Sequence, residues 1–317
     1  MGGGLINNIG EMLMSSQGFA TGKFFITKKR IEKNLFAYLM LAPDIIGLAI
    51  FIFIPVGIAL YVSLHEWNGI SPMKFIGLKN YATLMSDGQW WHSVGITIVY
   101  ALMFVPMLYC LSLLIAVFLN SITGKIQGFL RVIYFVPFTV STIVLSIIWL
   151  FMLDPRRGFV NEFLHIFGIP AQSFLGNPKQ ALFCIAFITA WTLIGYYSII
   201  FLAVLKDIPV IYYEAAKVDG ANAFQLFKSI TFPMLKEVNV FILVVTTIAS
   251  FQVFDQVKVM TSGGPAGATN VATFYIYINA FDYLKLGYSS ALAFVLFVIM
   301  FVFSMLLLKI TGGGARE

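Results

Sequence analysis

The chain has 317 residues, 60% of them hydrophobic and only 11% charged, with a formal net charge of +6. Soluble domains carry about 25% charged and about 45–50% apolar residues, so composition alone excludes a soluble globular class. The basic excess, which would point to nucleic acid in a soluble protein, sits mainly at the ends of apolar runs, where membrane topology accounts for it.

Residues 1–35 read as a cytoplasmic N-terminal arm. Met1–Thr27 has no basic region ahead of a short apolar core, so no cleavable signal is read. The start also lacks the Ser or Thr of a myristoylation site. Ile6, Ile9 and Leu13 share one face of a short helix that would lie on the membrane surface or pack on a partner.

A bilayer core of about 30 Å takes about 20 apolar residues in a helix. Six runs qualify: roughly Phe36–Leu64, Val94–Leu119, Phe129–Leu153, Ala181–Leu205, Val238–Val257 and Gly287–Ile310. Hydrocarbon offers no hydrogen-bond partners, so each run reads as a helix; barrel strands would be shorter and would alternate. The expected fold is all-α, a polytopic membrane domain over 36–310 with a tail over 311–317. No internal repeat and no separate soluble domain is read.

Thirteen Lys and Arg fall on the side of the termini and seven on the other, which places both termini in the cytoplasm, as an even number of spans requires. The outer loops carry turn signals at Trp67-Asn68-Gly69, Gly158, Pro170 and Gly263-Gly264-Pro265. Trp90 and Trp91, just before the second span, read as an interfacial belt. His65, His92 and His165 scatter over outer loops and read as surface residues, with no metal site. Cys110 and Cys184 lie inside apolar runs and read as small core residues. No nucleophile–base pair or paired carboxylate points to catalysis.

The polar loop Lys206–Glu237 interrupts this pattern between spans four and five. Pro209 begins a short helix over Tyr212–Val218, Gly220 stops it, and Ala221–Ile230 forms a second, with Pro233 opening the fifth span. Ala215, Ala216 and Ala221 admit a close backbone, Phe224 and Phe227 share a face, and Glu214 and Asp219 offer charge. Residue chemistry leaves two readings open: a docking element, or an amphipathic loop packed on its own membrane domain.

The run Glu214-Ala215-Ala216-Lys217-Val218-Asp219-Gly220-Ala221, followed by Ile230-Thr231-Phe232-Pro233-Met234-Leu235, closely resembles the EAA motif of ABC importer permeases. The resemblance implies a type I importer permease fold, with this loop as the coupling helix that fits a cleft on an ATP-binding subunit. Glu214, Ala215, Ala216, Asp219, Gly220 and Ala221 would be docking contacts, with Phe224 and Phe227 as apolar anchors. Trp67-Asn68-Gly69, the run Phe75-Ile76-Gly77-Leu78-Lys79-Asn80-Tyr81, Thr261-Ser262-Gly263-Gly264-Pro265, and Ala280-Phe281 with Gly287-Tyr288-Ser289-Ser290-Ala291 resemble the carbohydrate branch, which includes the maltose transporter's larger membrane subunit. The resemblance spans most of 36–310, without that subunit's long outer domain. It implies a bacterial inner-membrane protein partnered by a second homologous permease, two ATP-binding subunits, an extracytoplasmic solute-binding protein and a sugar or oligosaccharide.

No Gly-x-x-x-x-Gly-Lys-[Ser/Thr] loop occurs, so ATP and magnesium are expected on partner ATPase subunits and no cofactor on this chain. Polar residues within spans mark a candidate substrate path: Thr189, Thr192 and Tyr196 on span four, and Thr246, Ser250 and Val253 with Gln252 on span five. The resemblance puts these faces at sugar-lining positions, although Thr189, Ser250 and Val253 stand where the family has asparagines; hydroxyls bonded to their own backbone are the plainer reading. A polyol-phosphate importer is the alternative, and it predicts a cation in the pore that spans four and five lack. An ion-coupled transporter would need an intramembrane acid, for which Asp44 and Asp255 are the candidates.

Overall fold

The structure, a computed structural model, describes residues 28–310, with side chains from residue 37. The tail 311–317 and most of the arm, including Ile6, Ile9 and Leu13, lie outside the described residues. The chain divides at Ile58 and Ala59 into two compact units. The first holds α1 (Lys28–Leu48) and a π-turn, Ala49–Phe53; α2 (Ile54–Ser63) crosses the boundary. α1 starts at Lys28 rather than Phe36, because the Lys, Arg and Glu residues ahead of the apolar run are themselves good helix formers.

In the second unit β1 (His65–Glu66) pairs antiparallel with β2 (Lys74–Phe75), His65 opposite Phe75. Then follow α3 (Lys79–Ser86), α4 (Gly88–Ser121), α5 (Lys125–Thr139), α6 (Thr142–Met152), α7 (Phe159–Ile166) and α8 (Pro178–Asp207). The loop after α8 carries α9 (Val210–Val218), α10 (Ala223–Leu226) and α11 (Phe232–Met234). α12 (Lys236–Phe251), α13 (Asp255–Met260), α14 (Ala272–Tyr277) and α15 (Leu286–Ile310) complete it. Among the described residues four helices are long and apolar enough to cross a membrane, or up to six if each of two bent pairs counts as one span.

α8 is the central helix, packed on α4, α5 and α12. Its 30 residues are apolar nearly all round, the pattern of a span enclosed by others. Tyr100, Phe104 and Leu108 of α4 meet Ile185, Ala190 and Phe201 of α8 in the main core. α5 approaches α8 so closely that a Cβ on Gly195 would lie 1.9 Å from the Tyr134 carbonyl oxygen. Among membrane helices, where apolar surface gives little net drive, such small-residue contacts supply the packing.

Two spans depart from the expected straight helices. The third is α5 and α6, which meet at 96°. Pro137 cannot donate to the turn before it, and Val140 and Ser141 are extended, with ψ of 142° and 131°. The fifth begins at Lys236, ends at Phe251 and resumes as α13 after Gln252–Phe254. Each break carries only one or two polar residues within a long apolar run, Ser141 at the first and Gln252 at the second, so a window-averaged hydropathy passes over both.

Three residues expected at surfaces or in the core lie elsewhere. Trp90 is fully buried in a second cluster with Leu84 and Leu292, its ring 6.2 Å from that of Tyr275. Trp91 alone is exposed as an interfacial residue would be. His65 is buried: its Nδ1 lies 2.7 Å from the Tyr61 carbonyl, and its ring sits between those of Tyr61 and Phe75. Cys110 lies on the outward side of α4, not in the core.

Asp87 fastens the start of α4. Its Oδ1 accepts from the backbone N–H of Gln89 and Trp90, and its Oδ2 accepts from the Tyr275 and Tyr288 hydroxyls at 2.7 and 2.6 Å. Burial alone would raise this carboxyl, but the hydrogen bonds from Tyr288, Tyr275, Trp90 and Gln89 outweigh it and hold it below 3.8. The same contact, after burial, pushes the Tyr275 hydroxyl up to about 12. A depressed carboxylate stabilises the fold above its unfolded value, and that contribution is lost as pH falls through the folded value. Asp87→Asn should therefore cost about 1 kcal/mol at neutral pH, the difference between charged and neutral hydrogen bonds. Below pH 3.8 the gap to wild type should close, which thermal unfolding of the detergent-solubilised protein would register. A pH-independent gap would contradict this reading.

Candidate functional site

The loop Lys206–Glu237 folds as two short helices about an elbow. Pro209 is the N-cap of α9. At its C-terminus the Ala221 N–H donates to the Ala216 carbonyl and the Gly220 N–H to that of Lys217, with Gly220 at φ +81°. This is the Schellman arrangement, and it needs a left-handed residue at that place. The second helix starts at Ala223, later than Ala221, because Asn222 and Gln225 form a reciprocal capping box. It continues through a π-turn, Phe227–Thr231, into α11, so Pro233 ends the loop instead of opening the span. α12 follows after a bend of 69°. The Tyr213 and Thr231 hydroxyls, 3.0 Å apart, tie the two arms together. At the root, Lys206 Nζ donates to Gln127 Oε1, and Gln127 Nε2 donates to the Leu119 carbonyl.

Glu214, Ala215, Asp219 and Gly220 are exposed, while Ala216 and Ala221 are half-buried at a hollow of about 310 Å³ inside the elbow. Phe224 is 72% exposed, but Phe227 is turned inward against the core, its ring 6.2 Å from Phe232. The two phenylalanines therefore do not present one face: three residues of regular helix separate their directions by about 60°, enough to put one in the open and the other against the core. Sequence reasoning missed Val218, which at 88% exposure is the most exposed large apolar side chain of the loop, and Tyr212 beside it. An apolar patch left open on a charged elbow marks an interaction surface.

Of the seven path residues, the structure brings three to one cavity. Thr189, Gln252 and Val253 line a space of about 350 Å³ together with Tyr100, Thr142 and Gln256. Both span breaks border it: Thr142 opens α6 after the first, and Gln252–Phe254 is the second. Irregular backbone at membrane depth is tolerated only inside protein or along a water-filled cavity, so the breaks and the cavity explain each other. The Thr273 hydroxyl donates to the Val253 carbonyl freed by the second break.

The other four do not reach this cavity. Thr192, Thr246 and Ser250 are buried and donate to the carbonyls of Ile188, Ile242 and Thr247. Tyr196 stacks on Phe138, ring centroids 4.6 Å apart. Thr189 also bonds its own backbone, at Ile185. Tyr100 went unnoticed in the sequence because a lone hydroxyl barely marks an apolar run. It is fully buried, it lines the cavity beside Thr189, and its ring stacks on Phe104 at 5.5 Å. Its hydroxyl neighbours the Thr189 side chain, so the two form one polar spot on the cavity wall. Asp255, at the start of α13, adds a carboxylate. An aromatic wall with hydroxyl, amide and carboxylate groups and no cation suits a neutral, hydroxyl-rich molecule.

Residues 109–310 match the family described as binding-protein-dependent transport system inner membrane component. The chain is similar to the trehalose/maltose transport system permease protein MalF of Thermococcus litoralis, 35% identical over 90% of this chain and 96% of that one. It is 34% identical to the sn-glycerol-3-phosphate transport system permease protein UgpA of Agrobacterium fabrum, over 84% of this chain and 91% of that one. Among solved structures, a chain of a bacterial ABC transporter that imports the acidic polysaccharide alginate shares the fold, with a TM-score of 0.79 at 23% identity, covering 91% of this chain and 99% of that one.

Proposed function

The chain belongs to the inner membrane components of binding-protein-dependent transport systems, and from that premise we propose that it forms half of the translocation path of an ATP-driven importer for a sugar or oligosaccharide. A second homologous permease supplies the other half, one of two ATP-binding subunits docks on the elbow Val210–Met234, and a solute-binding protein delivers substrate at the opposite face. Both termini then lie in the cytoplasm. ATP hydrolysis belongs to the ATP-binding subunits, and the docked one receives Val218, Phe224 and the Glu214–Ala221 edge.

The observation that carries the sugar reading is the cavity at the two broken spans. Its lining includes Tyr100, Thr142, Thr189, Gln252 and Gln256, with Asp255 as its charged member and no Lys or Arg. A carboxylate there repels a phosphate, which disfavours a polyol phosphate despite the likeness to a glycerol-phosphate permease.

The assembled complex, reconstituted in proteoliposomes with its binding protein, should take up a neutral oligosaccharide when ATP is supplied and should not take up glycerol 3-phosphate. Uptake of glycerol 3-phosphate, or of no sugar in a broad panel, would overturn the reading. Tyr100→Phe keeps the ring and removes the hydroxyl at the cavity wall. It should lower uptake at limiting sugar roughly tenfold, the worth of one hydrogen bond to a buried partner, with basal ATPase activity unchanged. An unaltered uptake curve would remove Tyr100 from the site.

A further inference from the structure

A second and larger cavity lies at the other end of the membrane domain from the elbow. Lys206, at the root of the elbow, reaches the C-terminal end of α4 through Gln127 and Leu119. The cavity opens at the N-terminal end of the same helix, beside Asp87. The 34 residues of α4 separate the two by about 50 Å at 1.5 Å per residue. The volume is about 590 Å³, within the range of about 300–1,000 Å³ typical of small-molecule sites.

Its charges do not cancel. Lys74, Lys79 and Lys285 face Glu66 and Asp87. Both oxygens of Asp87 face two N–H groups and two tyrosine hydroxyls rather than a lysine. Three ammonium groups against two carboxylates leave one net positive charge in the cavity. The chemistry this cavity selects is anionic.

Its depth says where the anion comes from. Two membrane-spanning helices begin at its wall, α4 at Gly88 and α15 at Leu286. The cavity thus sits where hydrocarbon gives way to headgroups. Large apolar side chains on the same β2–α3 stretch stand out beside the lysines: Phe75 and Leu78 are each 69% exposed and Met85 64%. Trp91 is exposed one turn into α4, its Nε1 donating to the Met85 carbonyl. Lysines interleaved with exposed apolar and indole side chains form an interfacial element, with stems in the acyl region and charges among the phosphates. A soluble acidic protein would leave those apolar side chains in water, and a free phosphate would leave most of the cavity empty.

We propose that this cavity binds the headgroup of an anionic phospholipid, its phosphate held by Lys74, Lys79 and Lys285 and its acyl chains lying along Phe75, Leu78 and Met85. Binding there bridges α3, α4 and α15 and involves neither the elbow nor the substrate cavity.

The test uses the assembled importer in detergent, titrated with phosphatidylglycerol or phosphatidylcholine and read by native mass spectrometry. Phosphatidylglycerol should be retained at least tenfold over phosphatidylcholine. Each Lys→Gln change at these positions should cost roughly fivefold, the effect of one cation near a lipid surface. The triple Lys→Gln variant should lose the preference and the triple Lys→Arg variant should keep it. Millimolar inorganic phosphate should leave the bound lipid in place; displacement would assign the site to free phosphate and overturn the proposal. Equal retention of the two lipids by the unmodified protein, or a preference that survives the triple Lys→Gln change, would overturn it as well. Neither result depends on which solute is transported.

Discussion

Gly220→Val should nearly abolish ATP-driven uptake while the membrane domain stays folded. Gly220 holds φ at +81° as the left-handed cap of α9. A β-branched residue held there costs on the order of 2–3 kcal/mol, enough to depopulate the elbow about 30- to 150-fold. The alternative is for the cap to open and strand the carbonyls of Ala216 and Lys217. Nothing lies within 4 Å of a Cβ at this position, so the penalty is conformational and not a clash. Gly220→Asn should for that reason keep much of the activity, since asparagine accepts the left-handed region. Uptake and substrate-stimulated ATPase activity, measured together on both variants, test this. Full coupling in the valine variant would show that the elbow is not where the ATPase engages.

Gly195→Leu should prevent the membrane domain from assembling, and Gly195→Ala should already lower its thermal midpoint. A Cβ there overlaps the Tyr134 carbonyl at 1.9 Å and the amide of Phe135 at 2.8 Å, and backbone cannot step aside as a side chain can. Overpacking costs about 1–3 kcal/mol where the surroundings yield; here α5 would have to leave α8. Gly128 on α5 provides the control. A Cβ there meets nothing within 4 Å, so Gly128→Ala should be neutral or gain up to about 1 kcal/mol of helix propensity. Expression and melting of the three variants decide the matter, and a stable Gly195→Leu protein would refute the packing described.

Much of this was legible in the residues, for identifiable reasons. Hydrocarbon imposes helices on long apolar runs, so spans one, two, four and six were readable from composition. Pro209, Gly220 and the alanines between them specify the elbow locally, without help from distant contacts. The rest depends on partners far along the chain. His65 and Trp90 look like surface residues until β2 covers one and Tyr275 the other. The breaks in spans three and five are marked by little more than Ser141 and Gln252, and a lone polar residue does not tell an unwound turn from a helical one. Phe227 departs from Phe224 because a three-residue step still turns a helix by about 60° from its starting face, and the core lies on the Phe227 side. Tyr100 gains meaning only from the fold, which sets it beside Thr189 on one cavity wall.

The two ends of α4 are fastened to different machinery. At one end Leu119 is tied through Gln127 to Lys206, where the elbow begins. At the other, Asp87 clamps the helix to Tyr275 and Tyr288. A rod pinned at both ends transmits a pull along its whole length and yields where a rung is missing. In α4 that place is Pro106, which has no N–H to give to Leu102. It lies just beyond Tyr100 and Phe104, two of the three rings that line the cavity at the span breaks. A stroke delivered at the elbow would thus be taken up as flexure beside the cargo, and the compliant joint of the linkage coincides with its chamber.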